Sequence, residues 1–170
     1  QDIVISPKIS SEITAGSATV LLKDVFSVSP GNTPLAEQIK SLVILELRNP
    51  GAEQKLYEYQ VTKQLAAQGL DNHISIDAEF PITIRSKSRK LTADDLKPHI
   101  DRYFRAIAES GTARSIRWEF IREPDIAIFP GDEFRVQFKN TGPIRPGRFA
   151  LSGLVINGEY QKAFSLLLDI

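Results

Sequence analysis

The chain has 170 residues, of which 42% are hydrophobic and 25% charged, and no apolar run approaches the roughly 18 to 20 residues that cross a bilayer. Its 21 basic and 21 acidic residues give a formal net charge of zero, which offers no long-range attraction to nucleic acid or to anionic lipid and argues against a polyanion as the partner. The absence of cysteine excludes disulfides and thiolate chemistry. Because the chain begins with Gln1 and contains no methionine, we expect an exported protein whose leader has been removed, or a portion of a longer chain.

The first 88 residues predict a small α+β domain. The segment ATVLLKDVF, residues 18–26, is apolar and β-branched, which indicates a strand with a charged interruption at Lys23 and Asp24. Thr33 followed by Pro34 is typical of the start of a short helix. Strand character returns in NHISIDAEFPITIRS, residues 72–86.

A second helix is predicted between these features. Tyr57, Val61 and Leu65 are spaced to share one helical face. Gly69 followed by Leu70 is typical of a Schellman termination, in which a glycine with positive φ ends the helix and the next residue makes a hydrophobic contact.

The stretch RSKSRK, residues 85–90, carries four positive side chains and two serines. We interpret it as a linker between two domains, residues 1–88 and 89–170. A patch that binds phosphate or peptidoglycan is the alternative, and it is less favoured because no aromatic side chain lies among the charges to stack on a base. The predicted hinge residues are Arg85, Lys87, Arg89 and Lys90.

A longer helix is predicted after the linker. Thr92 and Asp95 have the spacing of a capping box, and Gly111 closes the element. Pro98 conflicts with an uninterrupted helix because proline lacks an amide donor, so we expect an opening turn and a helix that starts at Pro98. The apolar stripe of this helix is Leu96, Ile100, Tyr103, Phe104 and Ile107.

From Ser115 onward, the pattern is strand and turn. One helix followed by four strands favours a meandering four-stranded antiparallel sheet with the helix laid across its apolar face. Asn157 and Gly158 predict a type I′ turn as the loop of the last hairpin. That loop would pair Val155 with Tyr160 and place alternate residues of both strands on one apolar face.

Catalytic and cofactor patterns are missing from the sequence. His73 and His99 lie in different predicted domains without neighbouring ligands at metal spacing. No serine lies in a G-x-S-x-G elbow, and no dinucleotide or phosphate loop occurs. The adjacent carboxylates of Asp94 and Asp95 point in different directions, as do those of the pair at 132–133. We therefore expect no enzyme, no catalytic residues, no metal and no cofactor.

Aromatic side chains of the second half are the candidate partner-binding residues: Trp118, Phe120, Phe129 and Phe134. The alternative for each is a core or turn anchor. A second functional alternative is a cell-wall or glycan-binding module without catalysis, which would align Trp118, Phe120, Phe134 and Phe138 on one open face.

The second half contains, in order, Ile126–Phe129, Pro130–Gly131, Phe134–Phe138, Pro146–Gly147 and Asn157–Gly158. This ordered series resembles that of the flagellar basal-body P-ring formation chaperones, the FlgA family. The first half, through TVLLKDVFSV, NPGAEQKLYEYQVTKQLAAQGLD and ISIDAEFPITIRS, is similar to the extension of longer members. The quoted series covers nearly the whole chain.

This resemblance implies a periplasmic chaperone that binds P-ring subunits transiently and assists their assembly around the flagellar rod. The implied partner is the P-ring subunit, without nucleic acid, membrane insertion or cofactor, and weak self-association is compatible with it. An exposed strand edge could accept a partner strand by β-augmentation. Family members usually continue into a β-rich module of the SAF type, so we expect this chain to be the N-terminal portion of such a protein.

Overall fold

The computed structural model describes residues 2–8, 12–111, 115–139 and 142–170, and the fold is mixed α+β, as predicted. The chain divides into two compact units. Unit 1 contains residues 1–88 together with 129–132, and unit 2 contains residues 89–128 and 133–170. The domain bounds 1–88 and 89–170 stay a prediction, and four residues of the second half belong to unit 1.

Unit 1 is built from short strands and helices. Its sheets have the orders β4-β1-β7, β2-β8-β6 and β3-β5, and the pairs β1–β7 and β2–β8 are parallel. A 3-10 turn, Asp71–His73, precedes the seventh strand. The elements are β1 (Ile3–Pro7), β2 (Glu12–Ala15), β3 (Thr19–Leu21), α1 (Leu22–Val25), β4 (Phe26–Ser29), α2 (Pro34–Lys40), β5 (Val43–Glu46), β6 (Glu53–Leu56), α3 (Glu58–Ala67), β7 (Ile74–Ile76) and β8 (Ile82–Ser86).

Two local sequence signals in unit 1 are confirmed, the start of α2 and the end of α3, whereas Tyr57 precedes α3 and is exposed instead of sharing the buried face of Val61 and Leu65. The Thr33 hydroxyl accepts a hydrogen bond from the Ala36 amide at 3.1 Å and caps α2. Gly69 has φ of +68°, and the Leu70 amide donates to the Leu65 carbonyl at 2.9 Å, as in a Schellman motif. The charged interruption of the first predicted strand is a single helical turn, α1.

Unit 2 contains the predicted four-stranded antiparallel sheet, but its order is β10-β14-β13-β12. The expected meander is therefore wrong in one respect, because the first strand of this sheet pairs with the last. The elements are β9 (Arg89–Lys90), α4 (Ala93–Ser110), β10 (Glu119–Phe120), β11 (Ala127–Ile128), β12 (Phe134–Phe138), β13 (Arg148–Asn157) and β14 (Tyr160–Asp169).

The predicted start of α4 at Pro98 is wrong, since the helix begins at Ala93 and continues through the proline. The capping box explains the early start. The Thr92 hydroxyl accepts from the Asp95 amide at 3.2 Å, and the Asp95 carboxylate accepts from the Thr92 amide at 2.8 Å. Leu96, which precedes the proline, is fully buried and stabilises the first turns by packing.

The last hairpin has the predicted apolar face but a register shifted by two residues. Asn157 pairs with Tyr160 and Val155 with Lys162, so Gly158 and Glu159 form the loop. Gly158 has φ of +56° and no described non-glycine residue has positive φ, which fits a type II′ turn and not type I′. Asn157 is fully buried and its side-chain amide donates to the Glu133 carbonyl at 3.2 Å, which holds it in the strand.

Candidate functional site: the open edge of β14

The strand β14 is paired unequally on its two sides. Along β13, all ten of its residues are in register. On the other side, β10 covers only Leu168 and Asp169, followed by one hydrogen bond from the Ile121 amide to the Leu167 carbonyl at 3.0 Å. In the part of the chain that the structure describes, no strand pairs with β14 on this side before Leu167. The edge is therefore open over Gln161–Leu166.

The backbone groups that face the open side follow from strand geometry. Successive residues of a strand point their amide and carbonyl groups to opposite sides. The Leu167 carbonyl accepts from the Ile121 amide, directly after β10, so the backbone groups of Ser165, Ala163 and Gln161 point to this same side. Three residues thus present donors and acceptors to an incoming strand.

The edge is open because the chain turns away from β14 soon after β10. The backbone bends after Phe120 and is then held by another strand, because the Leu91 amide donates to the Ile126 carbonyl at 2.8 Å and β11 pairs with β9. A groove of about 340 Å³ lies between residues 122–126 and residues 162–167. Its length and backbone donors suit a short extended segment.

The rim of the groove carries charges of both signs. Arg122, Glu123, Asp125 and Lys162 line it. The Lys90 ammonium lies 2.9 Å from the Asp125 carboxylate, and its hydrogen bond and charge lower the pKa of Asp125, with a smaller contribution from Lys162. The groove is therefore not selective for the sign of a partner's charge, and the backbone of β14 is its main recognition element.

The four predicted partner-binding residues are half-buried or fully buried. Trp118 and Phe120 are half-buried, with ring centroids 5.1 Å apart, and the Trp118 indole donates to Asp101 at 2.8 Å. Phe134 is half-buried beside His99. Phe129 is fully buried and belongs to unit 1. Their role in binding stays a prediction, and the burial of Phe129 favours the core-anchor alternative for that residue.

The predicted hinge residues lie within or beside strands. Arg85 of β8 forms an ion pair with Glu53 at 3.1 Å, and Arg89 of β9 forms one with Asp95 at 2.9 Å. The Lys87 amide donates to the Ala15 carbonyl at 2.7 Å, and Lys90 pairs with Asp125. Each is thus held by a contact within its own unit, and a hinge role stays a prediction.

Among the residues that the structure describes, no group of three or more His, Cys, Asp or Glu side chains could hold a metal ion. Burial, together with the charge of Arg102, lowers the pKa of His99. Among the helices that the structure describes, none is long and apolar enough to cross a membrane.

No protein-family model, curated protein or solved structure matches the chain. Function is therefore inferred from the geometry of the β14 edge and from the motif resemblance. Sequence reasoning suggested an exposed strand edge but did not locate it. Pro124, four residues after Phe120, is the signal that could have predicted an early end to the strand.

Proposed function

We propose that the protein is a non-catalytic binding module that accepts an extended segment of a partner protein along the open edge of β14. The observation that carries this proposal is the unequal pairing of β14, which leaves the backbone groups of Gln161, Ala163 and Ser165 directed at an adjacent groove. Backbone pairing would supply the affinity, and the groove would accommodate alternate side chains.

The packing of helix α4 bears on how firmly the β14 edge is held. We infer that α4 packs across one face of the four-stranded sheet, since its buried residues Leu96, Ile100 and Phe104 share a hydrophobic cluster with residues of β13 and β14. Tyr103 adds a ring contact to Phe138 at 5.0 Å. Such packing would hold β14 in its extended conformation before a partner binds. Less conformational entropy would then be lost on binding.

The resemblance to the P-ring formation chaperones provides the partner. On this proposal, the protein is a periplasmic chaperone that binds P-ring subunits transiently and assists their assembly around the rod. Strand addition at an edge suits this task because it is non-covalent and reversible. The ordered motif series supports the choice of partner, whereas the edge geometry supports the mode of binding.

The glycan-binding alternative receives less support from the geometry. Its four rings, Trp118, Phe120, Phe134 and Phe138, are each half-buried and pack against the same hydrophobic cluster. A glycan platform requires ring faces open to solvent. Packing against the core favours a structural role for these rings.

The test is a proline substitution that removes one outward amide. Ala163→Pro deletes a donor that faces the open side and leaves the bonds to β13 in place, as proline tolerates an edge position whose amide faces solvent. Ala163→Ser is the matched control, because it keeps the amide. With purified P-ring subunits, we expect Ala163→Pro to weaken binding by at least about tenfold while Ala163→Ser binds like the parent.

Circular dichroism and thermal unfolding of both variants would establish that they are folded. Equal affinity of a folded Ala163→Pro variant and the parent would reject the β14 edge as the binding site. Loss of affinity in both variants would point to the outer side chain instead of the backbone.

A further inference from the structure

A second cavity lies in unit 2, away from the β14 groove. It has a volume of about 760 Å³, within the range of pockets that bind small molecules. Four isoleucines, Ile107, Ile116, Ile144 and Ile170, contribute apolar side chains to its lining. None of its lining residues lines the groove beside β14. The two cavities are therefore separate features.

The charge in this cavity has one sign. Arg117 and Arg145 are the charged side chains among its described lining residues, and no carboxylate lines it. Over the described ranges, neither guanidinium forms an ion pair within 4.0 Å. Both arginines are exposed and available to a ligand. An apolar cavity with two unpaired cations is complementary to an amphiphile with an anionic end.

Three of the lining residues have no backbone amide to offer a peptide. Pro143 and Pro146 have no amide hydrogen. Gly147 and Ile170 bond to each other, with N···O distances of 3.1 and 3.0 Å. A peptide placed here would receive no hydrogen bond from the backbone nitrogens of Pro143, Pro146 or Ile170, whereas an acyl chain needs none.

We propose that this cavity binds a single-chain fatty acid, with the acyl chain against the isoleucines and the carboxylate between Arg117 and Arg145. This activity is independent of partner binding at β14. It would give the protein a ligand site for a free fatty acid in addition to its protein-binding edge.

Binding of palmitoleic acid, kept below its micelle concentration, is measured by isothermal titration calorimetry, with the alcohol of equal chain length as the uncharged comparison. We expect Arg117→Gln and Arg145→Gln each to weaken binding of the acid by about tenfold without changing that of the alcohol. Arg135→Gln on β12 is the control for loss of an exposed charge, and Ala163→Pro should bind the acid normally.

Two results would overturn the proposal. One is a parent protein that binds the acid no better than the alcohol. The other is equal acid affinity in the parent and in both arginine variants, which would show that the guanidiniums do not receive the carboxylate. Because Ala163 lines the groove beside β14 and not this cavity, the fatty-acid proposal and the partner-binding proposal can fail separately.

Discussion

Unit 1 and unit 2 build their sheets from strands of different length and different separation in sequence. The strands of unit 1 have three to five residues, and two of its pairings, β1 with β7 and β2 with β8, join distant parts of the chain in parallel. Unit 2 contains two consecutive strands of ten residues joined by a two-residue turn. The sheets of unit 1 consist of short strands from distant parts of the chain, so their stability depends on many segments at once. In unit 2, the long hairpin is held by its own pairing, and one edge of β14 can therefore stay unpaired.

The clearest sign of that dependence is the segment Phe129–Asp132. Phe129 is fully buried in unit 1, the Gly131 amide donates to the Gly16 carbonyl at 2.8 Å, and the Asp132 carboxylate accepts from the Ala18 amide at 2.9 Å. These partners are more than 110 residues apart in sequence. Residues 1–88 alone therefore lack part of their own core.

The largest expected effect comes from truncating this buried ring. Phe129→Ala removes a fully buried phenylalanine and should lower the free energy of unfolding by about 3–5 kcal/mol. Hydrogen exchange should show the loss mainly in unit 1. Phe104→Ala is the counterpart in unit 2, where the ring lies in the cluster with Ile100 and Leu151.

The Phe129→Ala and Phe104→Ala variants are compared by urea denaturation, with hydrogen exchange measured for the amides of each unit. Preferential loss of protection in the opposite unit for either substitution would contradict the division into two units. Identical profiles would mean that the two units unfold as one.

A smaller effect is expected at Gly131, where the backbone passes close to Gly16 within unit 1. A Cβ on Gly131 would lie 2.8 Å from the Ser17 hydroxyl and 2.9 Å from the Gly16 backbone, so Gly131→Ala should cost about 1–3 kcal/mol. Gly16→Ala is the matched control, since the nearest atoms to its Cβ are 3.7 Å away. Thermal unfolding that ranks Gly16→Ala as the more damaging variant would refute the close approach.

The helix cap of unit 2 has a more modest influence. Thr92→Ala removes the acceptor for the Asp95 amide and should reduce stability by about 1 kcal/mol, whereas Thr92→Ser keeps the hydroxyl. Chemical denaturation measures both. A stability unchanged in Thr92→Ala would imply that packing of Leu96, and not the cap, fixes the start of α4.

The smallest expected effect is a pH dependence at the same cap. The hydrogen bond from the Thr92 amide lowers the pKa of the Asp95 carboxyl below its usual value, against the opposing effect of burial and with help from the Thr92 hydroxyl and Arg89. A lowered folded-state pKa means that the stabilisation is present above the unfolded pKa and is lost as pH falls through the folded value.

Unfolding curves between pH 6 and pH 2 should therefore show a steeper loss in the parent than in Asp95→Asn at the acid end, since the amide cannot titrate. Parallel curves would indicate that the Asp95 carboxylate contributes no pH-dependent stability. The Arg89→Gln variant tests whether the ion pair between Arg89 and Asp95 contributes to this pH dependence.

Elements with local signals could be predicted from the sequence. The cap at Thr33, the Schellman end at Gly69 and the capping box at Thr92 depend on residues within a few positions of each other. The start of α4 was misjudged because the cap and buried Leu96 outweigh the local cost of Pro98. The hairpin register was misjudged because Asn157 is held by a carbonyl 24 residues away.

The candidate site depends on pairings that a local pattern does not contain. The open edge exists because β10 joins β14 for two residues and the next segment is then held by β9. Two of the aromatic residues predicted to bind a partner, Trp118 and Phe129, do not line the groove beside β14. The groups that would bind a partner at this edge are backbone amides and carbonyls. Every residue other than proline has both, so the amino-acid composition does not reveal them.

The most direct test measures amide exchange along β14 before and after P-ring subunits are added. In the free protein, the Lys162 and Phe164 amides should exchange slowly because they face β13, whereas those of Ala163 and Ser165 should exchange fast. Binding should slow Ala163 and Ser165 selectively. Saturating subunits that leave both amides fast, or protection confined to another strand, would contradict the proposed binding of a partner strand at this edge.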